Sequence, residues 1–399
     1  MATLLIQPQE PARRGVPPGH FALWDLGFRP FYLLAAAFAA LSVPLWALQF
    51  SGLISHPWLR GPLWHAHEMV FGYTLAIVVG FLFTAGRNWS GQPTPTGRPL
   101  MALAALWVAA RVLVLTPWGV AAALVNVAFP LLAAWGLWRA LRAGNNKRNY
   151  FFVALLVMMA TASAVVHLAE LQWLTLPAGL GIPVALDGVL FMIAVMAGRV
   201  VPMFSNNGVP GMRARRDERL EKLALGSVLA LLAADALQLH GAAMAALLGL
   251  ALLAHAARLA LWQPWKTLRN PLVWVLHAAY LWLLLHLALR AAAELGWIAP
   301  SLATHALTLG VIGTITLGMI TRTALGHTGR PLRAGRIEIV AYLAMLGAAL
   351  VRVGVPLVEP AWLLSAVTGS ALLWSLAFVL YLVRYTPILL RARADGQPG

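Results

Sequence analysis

Residues 63–69 read Leu63-Trp64-His65-Ala66-His67-Glu68-Met69, and an apolar run continues from there to Ala85. Two imidazoles and a carboxylate at the mouth of such a run can ligate a transition metal or move a proton. Titratable groups in or beside lipid are costly and mark functional sites. Spacing limits their roles. His65 and His67 are two apart, about 200° around a helix. They share a face only if His65 precedes the helix proper. His65 and Glu68 are three apart and can meet, as can His167 with Glu170 and His277 with Tyr280. A tyrosine there could donate to a ligand or act as a redox neighbour.

The chain has no cysteine. Iron–sulfur ligation, blue copper, thiolate haem and covalent haem attachment are therefore excluded. Any metal must use His, carboxylate, Met or Tyr, and imidazole suits haem iron, copper and zinc.

The elements that must bring these groups together are membrane helices. The 399 residues are 61% apolar and 11% charged, with mean hydropathy +0.77. A soluble domain carries roughly 25% charge. Apolar runs predict twelve spans, near 28–50, 64–86, 99–115, 118–141, 149–172, 183–203, 219–239, 242–262, 271–293, 301–323, 336–355 and 361–385. The expected fold is an all-α polytopic bundle of about twelve transmembrane helices. Residues 1–27 contain Pro8, Pro11, Pro17 and Pro18 and no signal-peptide core, so they read as a cytosolic tail. The helical domain is expected over 28–386, with a second cytosolic tail over 387–399.

Lysine and arginine orient the bundle. Of the 29, 25 fall on the side shared by both ends of the chain, leaving Arg60, Arg111, Arg290 and Arg352 toward the other. The expected topology is N-in and C-in. The same split accounts for the net charge of +16 without nucleic acid. His65, His67, Glu68, His167, Glu170, Asp187, Asp235, His286 and His305 then lie toward the outer face. His277 and His255 lie in inner halves, with His20 and His327 at the inner surface. Several helices thus deliver His and carboxylates to the outer half of the bilayer.

Blander readings compete. A single His at a span end, such as His56, His240 or His286, is ordinarily interfacial. The 17 tryptophans form an aromatic belt most simply. Gly310, Gly313 and Gly318 most simply allow close helix packing, or could let a flat macrocycle approach. Arg199 and Arg322 near the inner ends read as snorkelling cations, or as partners of an inner gate or of haem propionates.

WHAHEMVFGY at 64–73, GRVVPMFSNN at 198–207, PLVWVLHAAY at 271–280, HALTLGVIGT at 305–314 and TRTALGHTGRP at 321–331 together resemble the NnrS family of bacterial membrane proteins. The similarity runs from about residue 20 to 385. It implies a multi-pass inner-membrane protein containing haem and copper, found with denitrification and nitric-oxide response genes and linked to tolerance of nitrosative stress. The family pattern matches His65, His67, Glu68, Arg199, Pro202, His277, Tyr280, His305, Arg322 and His327. On this resemblance His65, His67 and His305 are expected to form the metal and haem cluster, with His277 as a further ligand and Glu68 behind them. Tyr280, Arg199, Arg322 and His327 are supporting positions. His167 joins them on depth alone.

The expected ligand is nitric oxide, which is neutral and lipid-soluble. If turnover occurs, the protein is an oxidoreductase with an unknown electron donor. A secondary transporter is the rival reading, although its polar groups would be expected at the midplane and no repeat relates the two halves. A metal-delivery protein for other haem–copper enzymes is the third.

Overall fold

A computed structural model describes residues 17, 19–54, 58–59 and 61–397. His56, Arg60 and the tail before Pro17 lie outside the described residues. Fourteen α-helical segments are joined, in two places by π-helical segments, into twelve long helices. They are α1 (Phe28–Phe50), α2 (Pro62–Ser90), α3 (Gly97–Leu113), α4 (Gly119–Ala143), α5 (Tyr150–Glu170) and α6 (Gly181–Gly208). The second half comprises α7 (Glu218–Ala236), α8 (Ala242–Leu261), α9 (Pro271–Glu294), α10 (Pro300–His327), α11 (Arg336–Val358) and α12 (Leu363–Leu390). No described residue belongs to a strand ladder; the one β-type pairing is an isolated bridge between Phe21 and Arg391.

Ten of these helices are long and apolar enough to cross a membrane. The chain is a multi-pass membrane protein. The other two differ for visible reasons. Helix α3 has 17 residues, and α7 has Glu218, Arg219, Glu221 and Lys222 in its first turns. Each of the twelve apolar runs expected from the sequence is a helix, with ends displaced by a few residues. The largest displacements are in α6, which continues through Pro202 to Gly208, and α12, which continues to Leu390. Pro202 therefore sits inside a helix and does not end it.

The two ends of the chain are tied together. Ala22 N–H donates to the Leu390 carbonyl at 3.0 Å. The buried Arg29 guanidinium donates to the carbonyls of Leu389 at 2.8 Å and Arg391 at 2.9 Å. These are the carbonyls a helix C-terminus leaves without an internal partner, and a cation there also complements the helix dipole. Helix α12 is further held to α1 by Trp374 Nε1–H to the Ala39 carbonyl at 2.9 Å and by Ser375 Oγ–H to the Ala40 carbonyl at 2.9 Å. These two bonds, one residue apart on each helix, fix the sliding register of α12 on α1.

Arg29→Ala is expected to remove both charged caps and lower stability by about 2 kcal/mol. Thermal unfolding in detergent checks this; an unchanged midpoint would show that the clamp is idle.

Candidate functional site

Two helices share an unusual construction. In α2, α-helix to His67 is followed by a π-helical segment, Glu68–Thr74. In α10, α-helix to His305 is followed by a π-helical segment, Ala306–Gly313. Such wide turns are rare and are found mainly at functional sites. Here each lies immediately after a histidine. The two helices meet, with the hydroxyls of Tyr73 and Thr316 2.6 Å apart. Helix α3 docks on the first π segment through Trp107 Nε1–H to the Gly72 carbonyl at 3.1 Å. Gly72 is needed there, since a Cβ would collide with the Arg111 guanidinium and the Phe38 ring.

His65 and His305 line one cavity of about 350 Å³, together with Arg352 and the rings of Trp46, Phe50, Tyr73 and Trp374. That volume is at the lower end of ordinary cofactor clefts, about 300–1,000 Å³. The two imidazole centroids are 6.3 Å apart with ring planes within 10°. His65 also lies flat against Trp46, centroids 4.9 Å apart. His305 Nδ1–H donates to the Ser301 carbonyl at 2.7 Å. This fixes the tautomer and leaves Nε2 with a bare lone pair, as in metal-bound histidines generally. His65 Nδ1 and Arg352 Nη1 are buried without a hydrogen-bond partner.

His67 points to a different place. Its ring meets His167 edge to face, centroids 4.8 Å apart, and both side chains are fully buried. His67 Nδ1–H donates to Glu68 Oε1 at 2.8 Å, so Nε2 carries the lone pair. Neither His67 Nε2 nor either nitrogen of His167 has a hydrogen-bond partner. An unsatisfied buried polar atom costs about 1–3 kcal/mol, and three of them at one contact form a concentrated donor set. Glu68 in turn accepts from Arg111 Nη1 at 3.0 Å, and Arg111 Nη2–H bonds the Asn126 side-chain carbonyl. A carboxylate fixing a histidine tautomer is the usual support behind a metal ligand.

The half-turn geometry of a two-residue spacing explains the division. His65 and His67 both lie within the α-helical turn that opens α2, so they face opposite sides of it. Among the described residues no three His, Asp or Glu side chains converge as an ion cage. The candidate ligands come as two pairs. Glu68 meets its neighbour His67 and not His65, as an i,i+3 contact would have had it.

The remaining expected residues lie elsewhere. His277 shares a hydrogen bond with Ser205, Nε2 to Oγ 2.9 Å, and its ring is 6.3 Å from Trp262. It does not line the His65–His305 cavity. Tyr280 turns from His277 to His255 Nδ1, 2.5 Å away, and accepts from Arg258 Nη1 at 2.9 Å. Arg258 also grips Glu221 with two bonds of 2.7 Å. Arg199 bonds Asn149 at 2.8 Å, Arg322 lies 3.9 Å over the Phe204 ring, and the His327 ring is 5.7 Å from Phe28. Arg322 is 17 residues beyond His305, about 25 Å along a helix. Gly310 and Gly313 face Trp282 and Trp374, so their role is close packing.

Residue-by-residue reading missed the importance of Arg111 and Arg352, and of the His255–Arg258–Glu221 network. For the first two a signal existed. They are among the few cations that fall outside the main Lys/Arg side; Arg111 is buried against Glu68, and Arg352 lines the histidine cavity.

The sequence pattern of the NnrS protein family matches residues 22–393, nearly the whole chain. The chain belongs to the NnrS family. No curated protein matches it. The match begins at Ala22, where the chain pairs with its own C-terminal end, and stops at Arg393, which donates to the His327 carbonyl at 3.1 Å. In this NnrS protein both histidine pairs and the paired chain ends therefore fall inside the family region.

Glu68→Ala leaves the Arg111 cation buried and uncompensated, which is expected to cost about 3 kcal/mol. Arg111→Leu added to it should recover much of that loss, because the two charges are coupled. Thermal unfolding of the two single variants and the double variant checks this, and strictly additive losses would contradict the pairing.

Proposed function

We propose that this NnrS-family protein binds haem and copper in the outer half of the bacterial inner membrane, handles nitric oxide there and protects against nitrosative stress. The observation that carries the reading is the pair His65 and His305 across one apolar cavity, with His305 Nε2 held free as a lone-pair donor.

The residues fit the groups. His65 and His305, with ring centroids 6.3 Å apart at one cavity, would hold the iron. Arg352, whose Nη1 has no hydrogen-bond partner, would take a propionate. The aromatic walls suit a flat macrocycle. His67 and His167 would hold copper through their unpartnered nitrogens. Iron held by imidazole supplies direct binding of nitric oxide, and copper supplies a second redox-active centre.

The chain's own residues do the rest. Glu68 holds the proton of His67 on Nδ1, and Arg111 pairs with Glu68 from the other side. Trp46 restrains the His65 ring. The apolar lining excludes water, and a lipid-soluble diatomic needs no aqueous channel to reach it. Turnover would make the protein an oxidoreductase supplied by an electron donor.

The same proposal takes all twelve helices as spans with both ends in the cytosol. Two features support it: 25 of 29 Lys and Arg fall on one side in that arrangement, and the pairing of Phe21 with Arg391 puts both ends on one face, which needs an even number of crossings.

Purified protein is expected to show a Soret band that shifts with nitric oxide, with iron and copper near stoichiometric by metal analysis. His65→Ala or His305→Ala should lose haem and keep copper. His67→Ala or His167→Ala should lose copper and keep haem. Colourless, metal-free protein from haem-replete cells would overturn the reading.

A further inference from the structure

A second cavity, of about 470 Å³, lies at the same end of the bundle as His305 and shares Ile182, Leu186 and Thr304 with the His65–His305 cavity. Its polar lining does not belong to the histidine pairs. Arg290 of α9 forms an ion pair with Asp235 of α7 and approaches Asp187 of α6 at 3.4 Å. Both carboxylates thus converge on one guanidinium. Asp187 is 2% exposed, and its Oδ2 has no donor. His286 of α9 is 3% exposed; its Nδ1–H donates to the Ala303 carbonyl at 2.8 Å, and its Nε2 has no partner. Toward solvent, Glu294 accepts from Gly241 N–H at 3.0 Å and lies 3.4 Å from the exposed His240. Helix α10 adds Thr304 and no charged group to the lining.

One guanidinium between two buried carboxylates leaves one negative charge uncompensated, and a proton neutralises it at least cost. A metal ion is a poorer occupant, because Arg290 already stands between the acids and no three of the side chains form a cage. We infer that this cavity is a proton-exchange site, in which buried Asp187, left with Oδ2 unpartnered beside the Arg290–Asp235 pair, holds one proton that exchanges with outer water past Glu294 and His240. His286 Nε2 is a further lone-pair acceptor in the same cavity. The O–H bond of the proton breaks at Asp187 and re-forms there from water, so the site is restored without a further reactant.

The exchange is read by infrared spectroscopy of the full-length protein in lipid nanodiscs at neutral pH, in water and in heavy water. The expected result is the carbonyl band of a protonated carboxyl that shifts in heavy water. It should vanish in Asp187→Asn and in Asp235→Asn, because each leaves a single carboxylate for Arg290. It should persist in Glu170→Gln and persist at an altered frequency in Asp187→Glu, which reports even where an Asn variant does not fold. A band untouched by the Asp187 and Asp235 substitutions, or one that does not exchange, overturns the inference.

Discussion

The contact between Glu68 and Arg111 is the interaction on which the histidine end of the bundle depends. An ion pair in an apolar interior is stable only when both charges are present and their other hydrogen bonds are met. Here the remaining capacity is spent on neighbours that matter. Glu68 accepts from His67, and Arg111 reaches Asn126. One carboxylate thereby fastens α2 to α3, and through Asn126 to α4, while setting the tautomer of a buried histidine. Gly72 is small because the guanidinium passes over it.

The two π-helical segments work on the backbone as this network works on side chains. A wide turn rotates everything after it relative to everything before it. Placed just past His67 and just past His305, the segments allow short α-helical turns to aim histidines at the site while the long apolar remainders pack in the bundle. The Tyr73–Thr316 hydroxyl contact ties the two segments to each other. Histidines opposed across one cavity and across one ring contact follow from that shared construction.

Cations separate the two ends of the bundle into different kinds of surface. At one end, arginines cap carbonyls, as Arg29 does for α12, or lie over aromatic rings, as Arg322 does over Phe204. At the other end, each described arginine faces a functional group: Arg111 faces Glu68, Arg290 faces Asp187 and Asp235, and Arg352 faces the histidine cavity. The placement of these arginines sets the histidine end of the bundle apart from the other.

The sequence by itself determined the all-helical, multi-pass architecture, because apolar runs long enough to need internal backbone hydrogen bonding have no other stable form in lipid. It also marked the His65–Glu68 stretch, since three titratable groups at the mouth of an apolar run are too costly to be incidental. The angle between residues two apart on a helix let His65 and His67 share a face only if His65 preceded the helix; both lie inside it, so the expected cluster of His65, His67 and His305 divides. What it could not supply was the partner of each. That Glu68 meets His67, that His167 meets His67, that Tyr280 turns to His255, and that His277 settles beside Ser205 depend on helix rotation and on the π segments. Neither leaves a periodic trace, because a single extra residue in a turn does not alter which residues are apolar. The Asp187–Arg290–Asp235 triad joins three helices distant in the chain, and only their packing in space decided that two acids would share one arginine.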